Sequence, residues 1–275
     1  MRISHLGPTG TYTEAASRRF DPTADLLPVA TVAAAIQAVR DGEVDAAVCA
    51  MENSIEGSVS IETMDILIRP EFDLRVVGEV VVAIQHHLVG APGINAAGAE
   101  VVYSHPQALA QCRRRLAELA PSAKPVAALS TAGAVEASMQ EPGTLAVGSQ
   151  HAAELFGATI YARDIGDERD NETRFVVLAR EDAPPTGDDK TSLAFTVPHD
   201  RPGSLVEVLQ LFAQHGLNLT RIESRPTRQQ LGTYVFFCDV QGHQRDAVVA
   251  AVLDEARGMT QWLRVLGSYP RWKRA

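Results

Sequence analysis

The sequence predicts an α/β protein: open α/β lobes followed by a compact βαββαβ unit. Three observations predict it. Short apolar segments alternate with stretches of helical periodicity, and several segments end at Ser/Thr-capped helix starts. An acidic, Pro/Gly-rich stretch without apolar periodicity, Glu181-Asp182-Ala183-Pro184-Pro185-Thr186-Gly187-Asp188-Asp189-Lys190, then breaks the pattern. Behind it the order strand, helix, strand, strand, helix, strand is ferredoxin-like.

Residues 2–6 read as a short strand. Gly7-Pro8-Thr9-Gly10-Thr11 is a tight loop into a helix over 12–20, with Thr11 and Glu14 at capping-box spacing. Two glycines before a helix start gather free N–H groups and a helix dipole, which makes a natural anion site. The loop lacks the lysine of a P-loop, which argues against ATP. A plain strand–turn–helix connection is the alternative. Thr31 caps a helix over 32–40, and Gly42 ends it. Residues 44–51 read as a buried strand running into the polar cluster Glu52-Asn53-Ser54-Ile55-Glu56-Gly57-Ser58. A helix over 59–68 and strand material over 74–84 follow. His86-His87 has no HExxH spacing and no nearby carboxylate or thiol, so it reads as structural.

A strand over 101–103 ends at Ser104-His105-Pro106-Gln107, where Ser104 and Gln107 have capping-box spacing and Pro106 suits a first turn. Leu109, Cys112, Leu116 and Leu119 trace an apolar stripe. Gln111 lies off it, two turns beyond Ser104 and on the same side, either as surface or as a substrate hydrogen bond. A strand over 126–129 leads to Ser130-Thr131 and another helix. A strand over 145–148 turns into a helix at Ser149. In Asp170-Asn171-Glu172-Thr173-Arg174-Phe175-Val176-Val177-Leu178 the last four residues read as a buried strand. The front end crowds five polar residues at its lip, reachable yet rigidly held; a solvated turn is the alternative.

In the C-terminal unit a strand covers 191–197. Arg201-Pro202-Gly203-Ser204 starts a helix carrying Leu205, Val208, Leu209 and Phe212, stopped by Gly216. Strands over 217–224 and 233–240, a helix over 244–257 and a strand over 262–266 complete it. Arg221-Ile222-Glu223-Ser224-Arg225-Pro226 reads as a recognition or interface edge.

The 275 residues suffice for two domains with proper cores. Net charge is −9, which argues against nucleic acid and means that an anionic substrate must be met by local donors. Cys49, Cys112 and Cys238 are widely separated and read as reduced core residues of a cytoplasmic protein. The N-terminus has no signal-peptide core, and no apolar run approaches the roughly 20 residues a transmembrane helix needs.

Taken together, Gly7-Pro8-x-Gly10-Thr11-Tyr12-Thr13-Glu14, Glu52-Asn53-Ser54-Ile55-Glu56-Gly57, Tyr103-Ser104-His105-Pro106-Gln107, Thr131 through Glu136 and Asn171-x-Thr173-Arg174-Phe175 resemble prephenate dehydratase. The C-terminal unit resembles the ACT regulatory domain of that family, with Gly203-Ser204-Leu205-Val206 and Glu223-Ser224-Arg225-Pro226 as its phenylalanine-site motifs. Ser204 departs from the more usual Ala. The resemblance covers nearly the whole chain. It implies a catalytic domain over 1–181 with two periplasmic-binding-protein-like lobes (about 1–78 with 161–181, and 79–160), a linker over 182–190 and an ACT domain over 191–275. The chain starts at the catalytic motif with no leading chorismate mutase domain, which points to the monofunctional form.

The implied enzyme is a hydro-lyase of phenylalanine biosynthesis. It converts prephenate to phenylpyruvate, water and carbon dioxide without metal or redox cofactor. The resemblance makes Thr173 the catalytic donor to the departing ring hydroxyl. A threonine is too weak an acid to titrate, so its role is that of a positioned donor. Thr11, Asn53, Ser104, Gln111, Thr131 and Arg174 become substrate contacts, with the two carboxylates suiting the capped helix starts at Thr11, Ser104 and Thr131. Gly10, Glu52, Glu136, Asn171 and Phe175 become supporting residues, since the glutamates would repel a dianion. Arg174 also reads as a brace, because its side chain faces away from that of Thr173 on a strand. Phenylalanine is implied as feedback effector, and a homo-oligomer (dimer or dimer of dimers) as the assembly. Two other readings stay open: an arogenate dehydratase, and a non-catalytic two-lobed amino-acid-binding sensor.

Overall fold

The structure is a computed structural model that describes residues 1–198, 201–227 and 231–273. The expected end of the second domain, 274–275, lies outside the described residues. In chain order the first elements are β1 (Arg2–Leu6), α1 (Tyr12–Phe20), β2 (Asp25–Val29), α2 (Val32–Asp41), β3 (Ala46–Asn53), β4 (Gly57–Ser58), α3 (Ile61–Leu67) and β5 (Arg75–Ala83). Next come β6 (His87–Gly90), β7 (Val101–Ser104), α4 (Pro106–Gln111), α5 (Arg113–Leu119), β8 (Lys124–Ala127), α6 (Thr131–Gln140), β9 (Thr144–Gly148), α7 (Gln150–Phe156), β10 (Thr159–Ala162) and β11 (Glu172–Ala179). The C-terminal elements are β12 (Asp189–Thr196), α8 (Ser204–Gln214), β13 (Leu219–Pro226), β14 (Tyr234–Gln241), α9 (Ala247–Met259) and β15 (Trp262–Pro270).

Three sheets result. The first has the order β2-β1-β3-β11-β5, with β4 folded back on β3. Its β1 pairs in parallel with β2 and β3. The second has the order β10-β6-β9-β7-β8, with β7 parallel to β8 and β9. The third, β13-β14-β12-β15, is antiparallel and follows the ferredoxin-like chain order expected for it.

By contacts the chain forms two compact units. One gathers Met1–Ile61 with Val80–Phe175, the other Glu62–Glu79 with Val176–Ala275, so β5 and β11 contribute residues to both. In the first unit, period-2 alternation splits the second sheet's side chains between two cores. Leu88, Leu145 and Val147 pack with Val102, Cys112 and Ile165. Their neighbours Val89 and Ala146 pack with Ala132, Val135 and Ala152. In the second unit Leu193, Phe195, Val208, Phe212, Cys238 and Val252 form the centre. There Lys190 donates to both oxygens of Glu79 at 2.9 Å, which satisfies a buried charge pair. A Cβ on Gly267 would lie 2.1 Å from the Val76 carbonyl oxygen, so glycine is required for that close approach.

Several local expectations need correction. β2 was not expected; it contains Pro28 and sits at a sheet edge, where a missing N–H costs no ladder bond. β3 runs on through Asn53. The helix after β7 starts from His105, whose ring accepts from the Gln107 N–H, and not from a Ser104 cap. It then breaks at Cys112 into α4 and α5. Ser130, not Thr131, caps α6, its hydroxyl accepting from Gly133 N at 2.9 Å. Thr11, Thr31 and Gly42 cap as expected.

Candidate active site

Within the first unit a cavity of about 790 Å³ is walled by strand ends and helix starts. Thr11 and Tyr12 come from the start of α1, Asn53 from the end of β3, and His86 from the link between β5 and β6. Gln107 and Gln111 come from α4, Ser130 and Thr131 from the start of α6, and Thr173 and Phe175 from β11. Six residues expected at the site thus share one wall: Thr11, Asn53, Gln111, Thr131, Thr173 and Phe175. The described lining includes no Lys, Arg, Asp or Glu. A volume of this size suits a small organic ligand.

A directed hydrogen-bond chain organises the polar part of this wall. The Oδ1 of Asn53 accepts from the backbone N–H groups of Ile55 (3.0 Å) and Glu56 (3.1 Å). Backbone N–H groups only donate, so the amide orientation of Asn53 is fixed. Its Nδ2 therefore faces Asn171 Oδ1 at 2.6 Å, Thr173 Oγ1 at 3.0 Å and the Glu172 carbonyl at 3.1 Å. Asn171 in turn donates from Nδ2 to Gln111 Oε1 at 2.9 Å. Gln111 donates from Nε2 to the Glu56 carboxylate at 3.0 Å, which fixes its orientation independently from the other end. Gln111 Oε1 also meets His86 Nε2 at 3.0 Å. Thr173 accepts from Asn53, and no acceptor among the described residues takes its own proton.

The strand geometry explains who faces the cavity. Thr173 and Phe175 alternate with Arg174 on β11, and only the first two line the wall. Arg174 is buried, with one guanidinium nitrogen 3.9 Å from Glu52. Asp170 takes a positive φ of 59° just before β11. The Ser54 side chain accepts from Glu172 N and donates to the Asp170 carbonyl, both at 3.0 Å, and clips this turn to the end of β3.

Four expected residues lie elsewhere. Ser104 is fully buried, and its hydroxyl donates to the Val147 carbonyl at 2.7 Å, so it ties β7 to β9 and does not line the cavity. Glu136 is exposed on α6. Glu52 pairs with Ser58 in the β3–β4 hairpin. Gly10 sits behind the wall with φ 91°, and a Cβ there would meet Leu155 at 3.2 Å and Ala132 at 3.3 Å. The loop at Gly10 is less open to an anion than its sequence suggests, because its N–H already donates to Glu14 at 2.6 Å.

In the second unit Gly203 caps α8 with φ 86°, and Ser204 donates to the Pro198 carbonyl at 3.1 Å. Leu205 packs at the margin of the core, and Val206 is exposed. Glu223, Ser224, Arg225 and Pro226 end the edge strand β13. Glu223 pairs with Arg221, and Arg225 lies 3.4 Å from Asp65.

Sequence reasoning missed His86, Tyr12 and Glu56. Tyr12 donates to the Gln85 carbonyl at 2.5 Å and stands edge-on to His86, ring centroids 6.1 Å apart. Burial raises its phenol far above the ordinary range, so it stays protonated. Burial likewise lowers the His86 pKa, against a smaller opposing effect of the Gln111 bond, and it also lowers that of His105. The usable signal for His86 was its place at a strand's end, the same signal that flagged Asn53 and Ser104. Among the described residues no group of His, Cys, Asp or Glu is disposed to hold a metal ion. No helix there is long and apolar enough to cross a membrane.

Comparison with known proteins gives this geometry its setting. A family profile described as prephenate dehydratase matches residues 3–183, and one described as ACT domain matches residues 191–258. A bifunctional chorismate mutase/prephenate dehydratase of Aquifex aeolicus (strain VF5) is 41% identical over 272 residues, covering 98% of this chain and 74% of that protein. Arogenate dehydratase 1 of Petunia hybrida is 38% identical over 288 residues, covering 98% of this chain and 67% of that protein. A crystal structure of prephenate dehydratase in complex with L-Phe from Arthrobacter aurescens superposes with a TM-score of 0.89 at 38% identity, covering 98% of this chain and 90% of that one. With a profile spanning more than half of its length, and with these relatives, the chain belongs to the prephenate dehydratase family.

Proposed function

We propose that the cavity binds prephenate and that Thr173 assists loss of its ring hydroxyl, giving phenylpyruvate, water and carbon dioxide. The C–C bond to the ring carboxylate breaks, and its electron pair enters the ring. The C–O bond breaks at the opposite ring carbon, and the hydroxyl leaves with that bond's pair. The ring becomes aromatic, and one proton is needed to turn the leaving hydroxide into water. The observation that carries this reading is the direction of the bond between Asn53 and Thr173. Asn53 donates to the Thr173 oxygen, so the hydroxyl proton is left to point at a ligand and the amide steadies charge that develops on the oxygen.

The two substrate carboxylates are met by uncharged groups of the lining, the starts of α1 and α6 at Thr11 and Thr131 and the Gln111 amide; the Thr11 hydroxyl already donates to the Leu6 carbonyl at 3.3 Å, so Thr11 offers its backbone N–H. Arg174 and Glu52 act behind the wall as a brace. The described lining offers no carboxylate to pair with the ammonium of arogenate, which favours the keto acid.

The reading extends to regulation. Residues 1–181 act as the catalytic domain, 182–190 as a linker and 191–275 as an ACT domain that binds phenylalanine through Gly203–Val206 and Glu223–Pro226. The protein works as a cytoplasmic homo-oligomer, and phenylalanine lowers its activity.

The test follows phenylpyruvate from prephenate, and phenylalanine from arogenate, with wild-type protein and Thr173→Ala. Wild type turns over prephenate in preference to arogenate, added phenylalanine suppresses it, and Thr173→Ala loses about 10²- to 10³-fold in kcat with its melting temperature unchanged. Wild-type kcat in Thr173→Ala removes the assigned role, and arogenate turnover alone changes the substrate.

A further inference from the structure

We propose that His86 is a positioning residue: as its Nε2–H tautomer it holds Gln111 so that the substrate meets the spare amide N–H. This rests on the prephenate reading above. The argument is one of donors and acceptors. Asn171 Nδ2 donates to Gln111 Oε1 at 2.9 Å, and Gln111 Nε2 donates to the Glu56 carboxylate at 3.0 Å. The atom that His86 Nε2 meets at 3.0 Å is therefore an acceptor, and that ring nitrogen carries the hydrogen. Nδ1 is then left as a lone pair. It is buried and has no hydrogen-bond partner among the described residues, in a side chain only 4% exposed.

The other tautomer would put a lone pair against Gln111 Oε1 and replace one of the three bonds that hold the amide, beside those from Asn171 and to Glu56, with a repulsion that shifts Gln111 and its spare Nε2–H. Gln111 lines the cavity, and a dianion there meets that N–H while the amide is held. Only one of the two hydrogens on Nε2 is used by Glu56, so the second is the one offered. Tyr12 packs edge-on against the ring, centroids 6.1 Å apart, which restricts its rotation.

Two measurements test this. In protein labelled with ¹⁵N-histidine, the His86 signals at pH 7.5 are expected to show a neutral ring protonated on Nε2; an Nδ1–H ring overturns the proposal. This readout is independent of turnover, so it stands even where the substrate assignment fails. In kinetics, His86→Phe is expected to raise KM for prephenate about tenfold with kcat within about threefold, as for loss of one oriented donor. His86→Gln, which keeps an N–H at the same reach, is expected to restore most of the loss. An unchanged KM in His86→Phe, or equal damage in both variants, overturns it. If His86→Phe does not fold, the tautomer measurement decides alone.

Discussion

Asn53 does more at the site than any other single residue, because one amide reads two backbone N–H groups and feeds both Asn171 and Thr173. Asn53→Asp removes the donor and places a carboxylate oxygen against Asn171 Oδ1 and Thr173 Oγ1. The expected result is a loss of about 10² in kcat. Stability should also fall by about 1–3 kcal/mol, the cost of a buried polar group facing the wrong partner; steady-state kinetics and urea unfolding check the two parts. At this scale the sequence was readable where residue types are rare and clustered. Asn53, Asn171 and Thr173 stood out as polar residues on the lip of an apolar strand. Gln111 stood out as a polar residue off an apolar stripe. Ser104 carried the same signal and misled, since a strand-end hydroxyl serves equally well to tie two strands together. His86 and Glu56 were passed over because their partners are distant in sequence: Gln111 lies 25 residues from His86 and 55 from Glu56.

The elements succeed or fail as platforms at their ends. The start of α1 depends on Gly10, whose left-handed backbone and tight neighbours leave no place for a side chain. Gly10→Ala is expected to cost about 1–3 kcal/mol of stability. It should also raise KM more than it lowers kcat, because Thr11 and Tyr12 move with the helix start. Urea unfolding and substrate titration measure both. Long periodic helices with sharp caps were legible: Thr31 and Gly42 bracket α2 at the expected places. Short strands were not. β6 has four residues, all buried, and β10 has four, all half-buried or exposed. Neither length shows a period, and both exist because a neighbouring strand supplies a ladder, β9 for β6 and β6 in turn for β10. The break of α4 from α5 at Cys112 was also hidden, since its apolar stripe runs on without interruption. The backbone carbonyl of Gln111, just before the break, instead accepts from Asp167 N at 2.7 Å.

Over the molecule as a whole, the order of α/β segments and the ferredoxin-like unit could be read from periodicity and turn chemistry. How the chain regroups could not: residues 62–79 join the C-terminal unit, a choice made by packing between segments far apart in sequence. The buried histidines set a global property. Burial lowers the pKa of His5, His86, His87 and His105 below the ordinary 6.5. The unfolded chain therefore binds protons that the folded chain refuses. Stability is full above 6.5 and is lost as pH falls through 6.5 toward the folded values. Thermal melts between about pH 7.5 and 5.5 are expected to show a falling melting temperature, and His86→Gln is expected to flatten part of that slope. The uncharged cavity wall also bears on traffic. Prephenate arrives with two negative charges, phenylpyruvate departs with one, and no guanidinium in the described lining holds the departing anion back. A chain of net charge −9 helps it outward, and by the same repulsion slows the next arrival. Added salt screens that repulsion, so kcat/KM is expected to rise between about 20 and 200 mM KCl, the reverse of the behaviour of an enzyme that draws its anion in by positive charge.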